Sequence, residues 1–319
     1  MLKSGELVGL PTETVYGLAA DALNPTAVKK IFIAKGRPQD NPLIVHISDI
    51  DMIYSLTENP PALCFELASA FWPGPLTMVL PKAKTLSDEV TAGLDTVGIR
   101  FPSHKVAQDI ITESKTPLAA PSANLSGSPS PTKAIHVFSD LDGKIPLIID
   151  GGDSSVGVES TVIAVKENAI VLLRPGAVTV EELKAFAPVT IDKGVLQKVD
   201  EDKKVASPGM KYKHYSPKAE VIIIDSDFES FRKYIDENKN DGVFAMVFEG
   251  EEKSLSVPTV SFGIKEDDFS QARVLFDSLR ECDKLGAKKV FVRSPKKDGV
   301  GLAVYNRLLR AAAFTVITL

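Results

Sequence analysis

The sequence contains very little cysteine. Cys64 and Cys282 are the only two in 319 residues, and neither belongs to a CxxC or Cys/His cluster. This excludes a disulfide framework and a structural zinc site, and it favours a reducing cytoplasm. The four histidines are also dispersed without the spacing of metal ligands, so we expect no protein-bound metal site.

Long apolar runs and several nucleotide and nucleophile motifs are missing as well. No window approaches the ~18 apolar residues of a membrane span, and the N-terminal MLKSGELVGL is too short an apolar run for a signal peptide. GxxxxGK[ST], GxSxG and a complete GxGxxG are absent. We therefore expect no membrane association, and any catalysis has to come from positioning and charge stabilisation.

An excess of positive charge is lacking too. The chain has 37 basic and 42 acidic residues, a formal net charge of −5. Residues 1–190 carry 15 basic and 21 acidic side chains (−6), and the remainder carries 22 and 21 (+1). Without a global positive field to attract a polyanion, any contact with nucleic acid has to be local.

Short apolar runs bounded by Gly and Pro predict a mixed α/β domain over residues 1–190. Helical patterns lie between the runs, and about eight strands are more than a simple alternation of strand and helix would give, which argues against a purely parallel sheet. The predicted strands are GELVGLP, NPLIVHIS, GPLTMVLP, TVGIRFP, PLAAPSAN, IPLIIDGG, STVIAV and AIVLLRPG.

A regular alternation of strands and helices follows in residues 219–319. It is typical of a smaller three-layer domain with a largely parallel, Rossmann-like sheet. The segment 191–218 between the two domains has no clear period, and residues 203–218 combine five lysines, one histidine and two tyrosines with no carboxylate. We interpret it as a basic, aromatic linker, for which an exposed charged connector is the simple alternative.

The stretch KGRPQDNPLIVH carries the most suggestive chemistry. Pro38 and Pro42 predict a fixed, extended loop that projects Lys35 and Arg37, with Asn41 between the prolines and His46 on the next strand. A guanidinium fork beside an ammonium group suits a polyanionic small molecule such as a nucleoside triphosphate. Each residue taken alone is equally compatible with a solvated loop or a buried structural histidine.

Other polar residues lie at strand ends or in loops of the same domain. PSANLSGSPSPT can offer backbone N–H groups to an anion, although a polar surface loop has the same composition. Arg100 lies within an apolar strand, where its charge needs a partner or a ligand. The candidates in these segments are Thr12, Thr14, Arg100, Ser122, Asn124, Ser130, Ser160, Thr161 and Arg174.

The motifs together resemble the threonylcarbamoyl-AMP synthases of tRNA modification. PTETVYGLAADA, KGRPQDNPLIVH, FWPGPLTMVL, TVGIRFP, PSANLSG, STV and RPG occur in the order and spacing of that family. SPGMKYKHYSPKAEV and GLAVYNRLLRAA resemble the linker and C-terminal domain of its two-domain members. Members commonly have an extra helix before the first strand, so we expect one face of the sheet to be less covered here.

The resemblance implies a twisted open sheet with a concave, positively charged cavity. It also implies an enzyme, a nucleotidyltransferase that converts L-threonine, bicarbonate and ATP into threonylcarbamoyl-AMP and pyrophosphate, with Mg²⁺ carried by the nucleotide. A downstream threonylcarbamoyl transferase complex then modifies tRNA, with which this protein is expected to make at most a weak contact.

The same resemblance implies the roles of individual residues. It assigns the threonine site to Thr14, His46, Arg100, the backbone of Ala120, and Ser160. It assigns the ATP site to Lys35, Arg37, Asn41, Thr96, Ser122, Asn124, Ser130, Arg174 and Tyr215, of which Lys35 and Arg37 are expected to be catalytic. We further hypothesise that residues 211–215 of the linker form a lid over the cavity.

Two alternative functions compete with this one. The first is a non-catalytic RNA-binding module, which the negative charge of the first domain and the 7% aromatic content disfavour. The second is the related carbamoyl-adenylate domain of hydrogenase maturation, which would be accompanied by acylphosphatase and zinc-finger domains. Neither of those domains fits into this chain.

Overall fold

A computed structural model describes residues 1–198 and 214–319 of the chain. The described residues divide into two compact units, the first formed by 1–126 and 130–198 and the second by 127–129 and 214–319. Most of the linker, including residues 211–213 of the hypothesised lid, lies outside the described residues. Within the described part of the chain, no helix is long and apolar enough to cross a membrane.

The first unit is built on a nine-stranded mixed sheet in the order β1-β2-β6-β3-β5-β4-β7-β8-β9. The sheet contains parallel pairs such as β3–β5 and antiparallel pairs such as β4–β5, which confirms the predicted mixed sheet. The strands are β1 (Val8–Leu10), β2 (Gly17–Asp21), β3 (Ile44–His46), β4 (Leu76–Pro81), β5 (Thr96–Arg100), β6 (Leu118–Ala119), β7 (Thr161–Val165), β8 (Ile170–Arg174) and β9 (Val189–Ile191).

The helices of this unit bury their apolar sides against the sheet. Val28 and Ile31 of the first helix pack in one core cluster with Met78 and Ile99 of the sheet. The helices are α1 (Pro25–Lys35), α2 (Ile53–Leu56), α3 (Ala62–Phe71), α4 (Asp88–Thr91), α5 (Lys105–Ser114), α6 (Ala134–Leu141) and α7 (Val180–Leu183).

One strand prediction for this sheet is wrong. IPLIIDGG does not form a strand, because only Ile148 bridges Gly9 of β1 before the chain turns away at Gly151 and Gly152. Strand β2, which the apolar pattern did not predict, pairs with β1 and β6. Strands β2 and β9 bring the total to nine in place of about eight.

The second unit contains a five-stranded sheet in the order β12-β11-β13-β10-β14, in which every pair is parallel. Apolar side chains point to both faces of one of its inner strands, since Ile222, Ile223 and Ile224 are all buried, as a parallel sheet requires. The predicted smaller α/β domain is confirmed. Its elements are β10 (Glu220–Asp225), α8 (Phe228–Asn238), β11 (Val243–Val247), β12 (Thr259–Ser261), α9 (Asp268–Lys284), β13 (Lys289–Arg293), α10 (Gly301–Ala311) and β14 (Val316–Thr318).

Candidate active site

Polar side chains gather at the ends of β3, β5 and β4 on one face of the first sheet. His46 lies opposite Arg100 in the parallel β3–β5 pair, and Thr77 lies opposite Arg100 in the antiparallel β4–β5 pair. The neighbouring positions on this face are apolar and form a small buried cluster that includes Ile44 and Val79. The sheet therefore provides an apolar floor with a guanidinium, an imidazole and a hydroxyl at one rim.

Arg100 is buried and forms an ion pair with Glu13, a residue that we did not single out in the sequence. Its Nη2 lies 2.7 Å from Oε1 of Glu13, while its Nε donates a long, 3.5 Å hydrogen bond to the carbonyl of Gly74. Glu13 lies in the loop between β1 and β2, and its own carbonyl accepts a 2.8 Å bond from the N–H of Val156. The predicted need of Arg100 for a charged partner is thus met within this unit.

His46 is buried beside Arg100. Burial, reinforced by the positive charge of Arg100, lowers the pKa of His46 from 6.5 to about 3. The imidazole is therefore neutral at neutral pH, and its Nδ1 has no hydrogen-bond partner among the described residues. A neutral ring can donate or accept a hydrogen bond to a ligand hydroxyl without repelling a nearby cation.

The low pKa of His46 predicts a specific loss of stability in acid. Below pH 6.5 the unfolded chain binds a proton that the folded protein binds only near pH 3, so stability falls as the pH falls through this window. From pH 7 to pH 5 the wild type should lose about 2 kcal/mol more than His46→Gln. Urea unfolding of the full chain, followed by the fluorescence of the single tryptophan, Trp72, reports this difference for the first unit. Equal losses in the two proteins would contradict the assignment.

Lys35 is held at the C-terminus of α1. Helix α1 starts after Asn24, whose side chain caps Thr26 and Ala27, and it stops at Gly36, which adopts a left-handed conformation with φ 60°. Lys35 is the last helical residue and only 3% exposed. The helix end thereby presents an ammonium group to the following loops.

The ammonium group of Lys35 is surrounded by acceptors of the PSAN segment. Its Nζ donates to the carbonyls of Ser122 at 2.5 Å and Asn124 at 2.6 Å, and the Ser122 hydroxyl donates to Oδ1 of Asn124 at 2.6 Å. Burial, followed by the charge of Arg37, lowers the pKa of Lys35 well below its usual value. A nearby anion would stabilise the charged form, so this group is suited to phosphate.

Arg37 and Asn41 occupy the loop between α1 and β3. Nη2 of Arg37 donates to the carbonyls of Asn41 and Pro42 at 3.2 and 3.1 Å, which fixes the guanidinium against the loop backbone. Asn41 is 1% exposed, and its Oδ1 lacks a hydrogen-bond donor among the described residues. The loop is therefore stabilised by its own arginine. The prediction that this loop also projects Lys35 is wrong, because Lys35 is the last residue of α1 and is buried.

Ser160 and Arg174 form a third polar group at the ends of β7 and β8. Arg174 donates from Nε to the Ser160 carbonyl and from Nη2 to the Ser160 hydroxyl, both at 3.1 Å. The same hydroxyl lies 2.8 Å from Oγ1 of Thr77. The structure thus joins two predicted site residues to Thr77, which belongs to the rim that carries Arg100.

The remaining predicted residues of this unit lie in smaller groups. Ser130 donates a 2.5 Å hydrogen bond to Glu159, and the hydroxyls of Thr12 and Thr14 lie 2.9 Å apart. The N–H of Ala120 donates to Ile44 of β3. Thr96 begins β5 opposite Pro81 of β4, four residues before Arg100, so the strand separates these two side chains by about 13 Å.

Tyr215 belongs to the second unit. Its ring lies 5.3 Å from the ring of Phe276 and 5.5 Å from the guanidinium carbon of Arg307, and it is only 5% exposed. Next to it, the Ser216 N–H donates to the Gly127 carbonyl and the Ser216 hydroxyl donates to Ala311. These contacts anchor the C-terminal end of the linker.

Glu13, Thr77 and Glu159 are the residues of this region that sequence reasoning missed. Of these three residues, Thr77 could have been found from its sequence pattern, because it alternates with Val79 on an apolar strand that runs beside Arg100. The carboxylates occur in polar loops, where nothing in the local pattern reveals that each is 6% exposed. Within the described residues, no group of three or more His, Cys, Asp or Glu side chains could hold a metal ion.

The fold and these side chains define a two-unit α/β protein with a cationic, hydroxyl-lined face suited to anionic small molecules. Comparison with known proteins identifies the family. Residues 1–176 match a family model described as "Telomere recombination", and residues 178–313 match one described as "Threonylcarbamoyl-AMP synthase, C-terminal domain".

Full-length relatives agree with these matches. A threonylcarbamoyl-AMP synthase of Bacillus subtilis is 48% identical over 99% of this chain and 92% of its own length, and one of Pyrococcus abyssi is 43% identical over 99% and 93%. The crystal structure of P. abyssi Sua5 complexed with L-threonine superposes with a TM-score of 0.93 at 43% identity, covering 100% of this chain and 94% of that chain. The chain belongs to the threonylcarbamoyl-AMP synthase family, a family of enzymes.

Proposed function

We propose that this protein condenses L-threonine, bicarbonate and ATP into threonylcarbamoyl-AMP and pyrophosphate, supplying the activated group for N6-threonylcarbamoyladenosine in tRNA. The observation that supports it most directly is the buried Lys35 within a family of threonylcarbamoyl-AMP synthases. Its ammonium group faces only neutral oxygens within hydrogen-bond distance among the described residues. A triphosphate places negative charge directly against this buried cation.

In this proposal the ATP phosphates bind to the ammonium group of Lys35 and to the guanidinium group of Arg37, both in the first unit. Lys35 and Arg37 stabilise the charge that builds up on the phosphates during in-line displacement at the α-phosphate. Mg²⁺ accompanies the nucleotide and neutralises phosphate charge when bound. The proposed ATP ligands are Lys35, Arg37, Asn41, Thr96, Ser122, Asn124, Ser130, Arg174 and Tyr215.

Threonine binds at the rim formed by β3, β5 and β4. Arg100 offers a guanidinium to the amino-acid carboxylate, and the neutral His46 offers a hydrogen bond to the hydroxyl. The proposed threonine ligands are Thr14, His46, Arg100, the backbone of Ala120, and Ser160. The carboxylate of the threonine carbamate is the nucleophile, so no strong general base is required.

The product itself tests this function. Incubation of the protein with ATP, Mg²⁺, L-threonine and isotope-labelled bicarbonate should give threonylcarbamoyl-AMP with one labelled carbon, as detected by mass spectrometry. Product without the label, or no product from folded protein, would contradict the proposal. Binding of RNA by a protein that makes no product would favour the non-catalytic alternative.

The proposed role of Tyr215 gives a second prediction. If this aromatic ring contacts the nucleotide, Tyr215→Ala should raise the KM for ATP and lower turnover by about 10-fold, the expected loss of one aromatic contact. Tyr215→Phe keeps the ring packed on Phe276 and serves as the matched control, with near wild-type kinetics. Unchanged KM and turnover in Tyr215→Ala would rule out a nucleotide contact by Tyr215.

A further inference from the structure

Buried polar atoms without hydrogen bonds are concentrated where the β1–β2 loop meets the ends of β3 and β5. Among the described residues, both carboxylate oxygens of Glu13, Nη2 of Arg100 and Nδ1 of His46 lack a hydrogen-bond partner. The three residues are 6%, 4% and 3% exposed. Unsatisfied buried polar groups are costly, so this concentration calls for an explanation.

The Glu13–Arg100 contact does not satisfy these atoms. The two groups are 2.7 Å apart, yet the N–H of Arg100 is not directed at the carboxylate, so the contact is an ion pair without a hydrogen bond. A buried ion pair stabilises a protein only when its remaining lone pairs and protons find partners. Neither oxygen of Glu13 accepts a hydrogen bond from any residue that the structure describes.

The second unit shows what a satisfied pair looks like in the same chain. Arg293 donates to the two oxygens of Glu251 from Nε and Nη2 at 3.2 and 3.3 Å. The N–H of Phe248 adds a third hydrogen bond to that carboxylate. Compared with this structural pair, Glu13 and Arg100 are charged groups held close together, and among the described residues both oxygens of Glu13 and Nη2 of Arg100 make no hydrogen bond.

The hydrogen bonds that Glu13, Arg100 and His46 could still make match one kind of ligand. The two oxygens of Glu13 accept from a cationic N–H group, Arg100 donates to a carboxylate, and His46 bonds to a hydroxyl. A hydroxylated α-amino acid carries these three groups on adjacent carbon atoms. A ligand with only a carboxylate would leave Glu13 buried, without a donor and in competition for Arg100.

We propose that Glu13 binds the α-amino group of the amino-acid substrate and makes the site specific for α-amino acids. This inference rests on the proposed function. In the ligand-free protein Glu13 and Arg100 neutralise each other, and on binding each turns to one end of the substrate zwitterion. Glu13 is thereby a specificity-determining residue for threonine, which the sequence motif alone did not suggest.

The test compares two ligands on three proteins by calorimetric titration. The ligands are L-threonine and its analogue with a hydroxyl in place of the α-amino group. Wild type should prefer threonine by about 100-fold or more. Glu13→Gln should bind threonine about 30-fold more weakly and the analogue at least as tightly as wild type, because a carboxylate no longer competes for Arg100.

Glu251→Gln is the matched control, since it makes the same chemical change in the structural pair and should keep the wild-type preference. Equal weakening of both ligands in Glu13→Gln, or no change in either, would overturn the inference. Equal affinity of the two ligands for wild type would overturn it even if Glu13→Gln failed to fold. Wild type that binds no threonine would instead count against the proposed function.

Discussion

Replacing Lys35 by methionine is expected to lower kcat/KM for ATP-dependent pyrophosphate release by about 100- to 1,000-fold. Methionine is similar in length, so it removes the ammonium group and leaves the space filled. The loss should fall on both the KM for ATP and turnover, since the charge contacts phosphate in the ground state and in the transition state. Steady-state kinetics at saturating threonine measures both.

Lys29→Met provides the matched control, because Lys29 lies on the same helix and its side chain is half exposed in an ion pair with Glu89. Its activity should stay within about twofold of wild type, as surface ion pairs contribute little. Loss of the Trp72 unfolding transition in Lys35→Met would show a folding defect. A folded Lys35→Met protein with wild-type kinetics would contradict the phosphate role.

Arg100→Met is expected to raise the KM for threonine by at least about 100-fold while leaving the KM for ATP nearly unchanged. It should also lower the free energy of unfolding of the first unit by about 3–5 kcal/mol, because Glu13 is left as an uncompensated buried charge. Threonine kinetics and urea unfolding monitored at Trp72 measure the two effects independently.

The double variant Arg100→Met/Glu13→Met separates these effects. An apolar pair of similar volume should recover most of the lost stability, whereas threonine binding should stay lost because no guanidinium faces the carboxylate. If the double variant were as unstable as Arg100→Met, the unpaired Glu13 would not be the cause of the instability. Wild-type threonine KM in either variant would contradict the role of Arg100.

Much of the sheet could be predicted from local pattern, and the exceptions have physical reasons. Apolar runs rich in Val, Ile and Leu became strands wherever a neighbouring strand could pair along their length. Strand β2 was missed because Gly17, Ala19 and Ala20 have weak β-propensity and owe their conformation to pairing on both sides. IPLIIDGG has the right composition but meets β1 at only one residue.

The contacts among the predicted site residues could not be predicted from the sequence. Family motifs identified Lys35 and Ser122 separately, while their hydrogen bond joins positions 87 residues apart. Arg100 could be recognised as a charge that needs a partner, because an arginine in an apolar strand cannot remain unpaired. Its partner Glu13 could not, since burial of a loop carboxylate is a property of the tertiary fold.

Pyrophosphate release from ATP in the presence of Mg²⁺ tests most directly the claim that this protein makes threonylcarbamoyl-AMP. Release is measured with L-threonine and bicarbonate together, with each omitted in turn, and with L-serine in place of threonine. We expect release that requires both bicarbonate and the amino acid. Release that is independent of threonine or of bicarbonate, or no release from protein shown to be folded by its Trp72 emission, would contradict it.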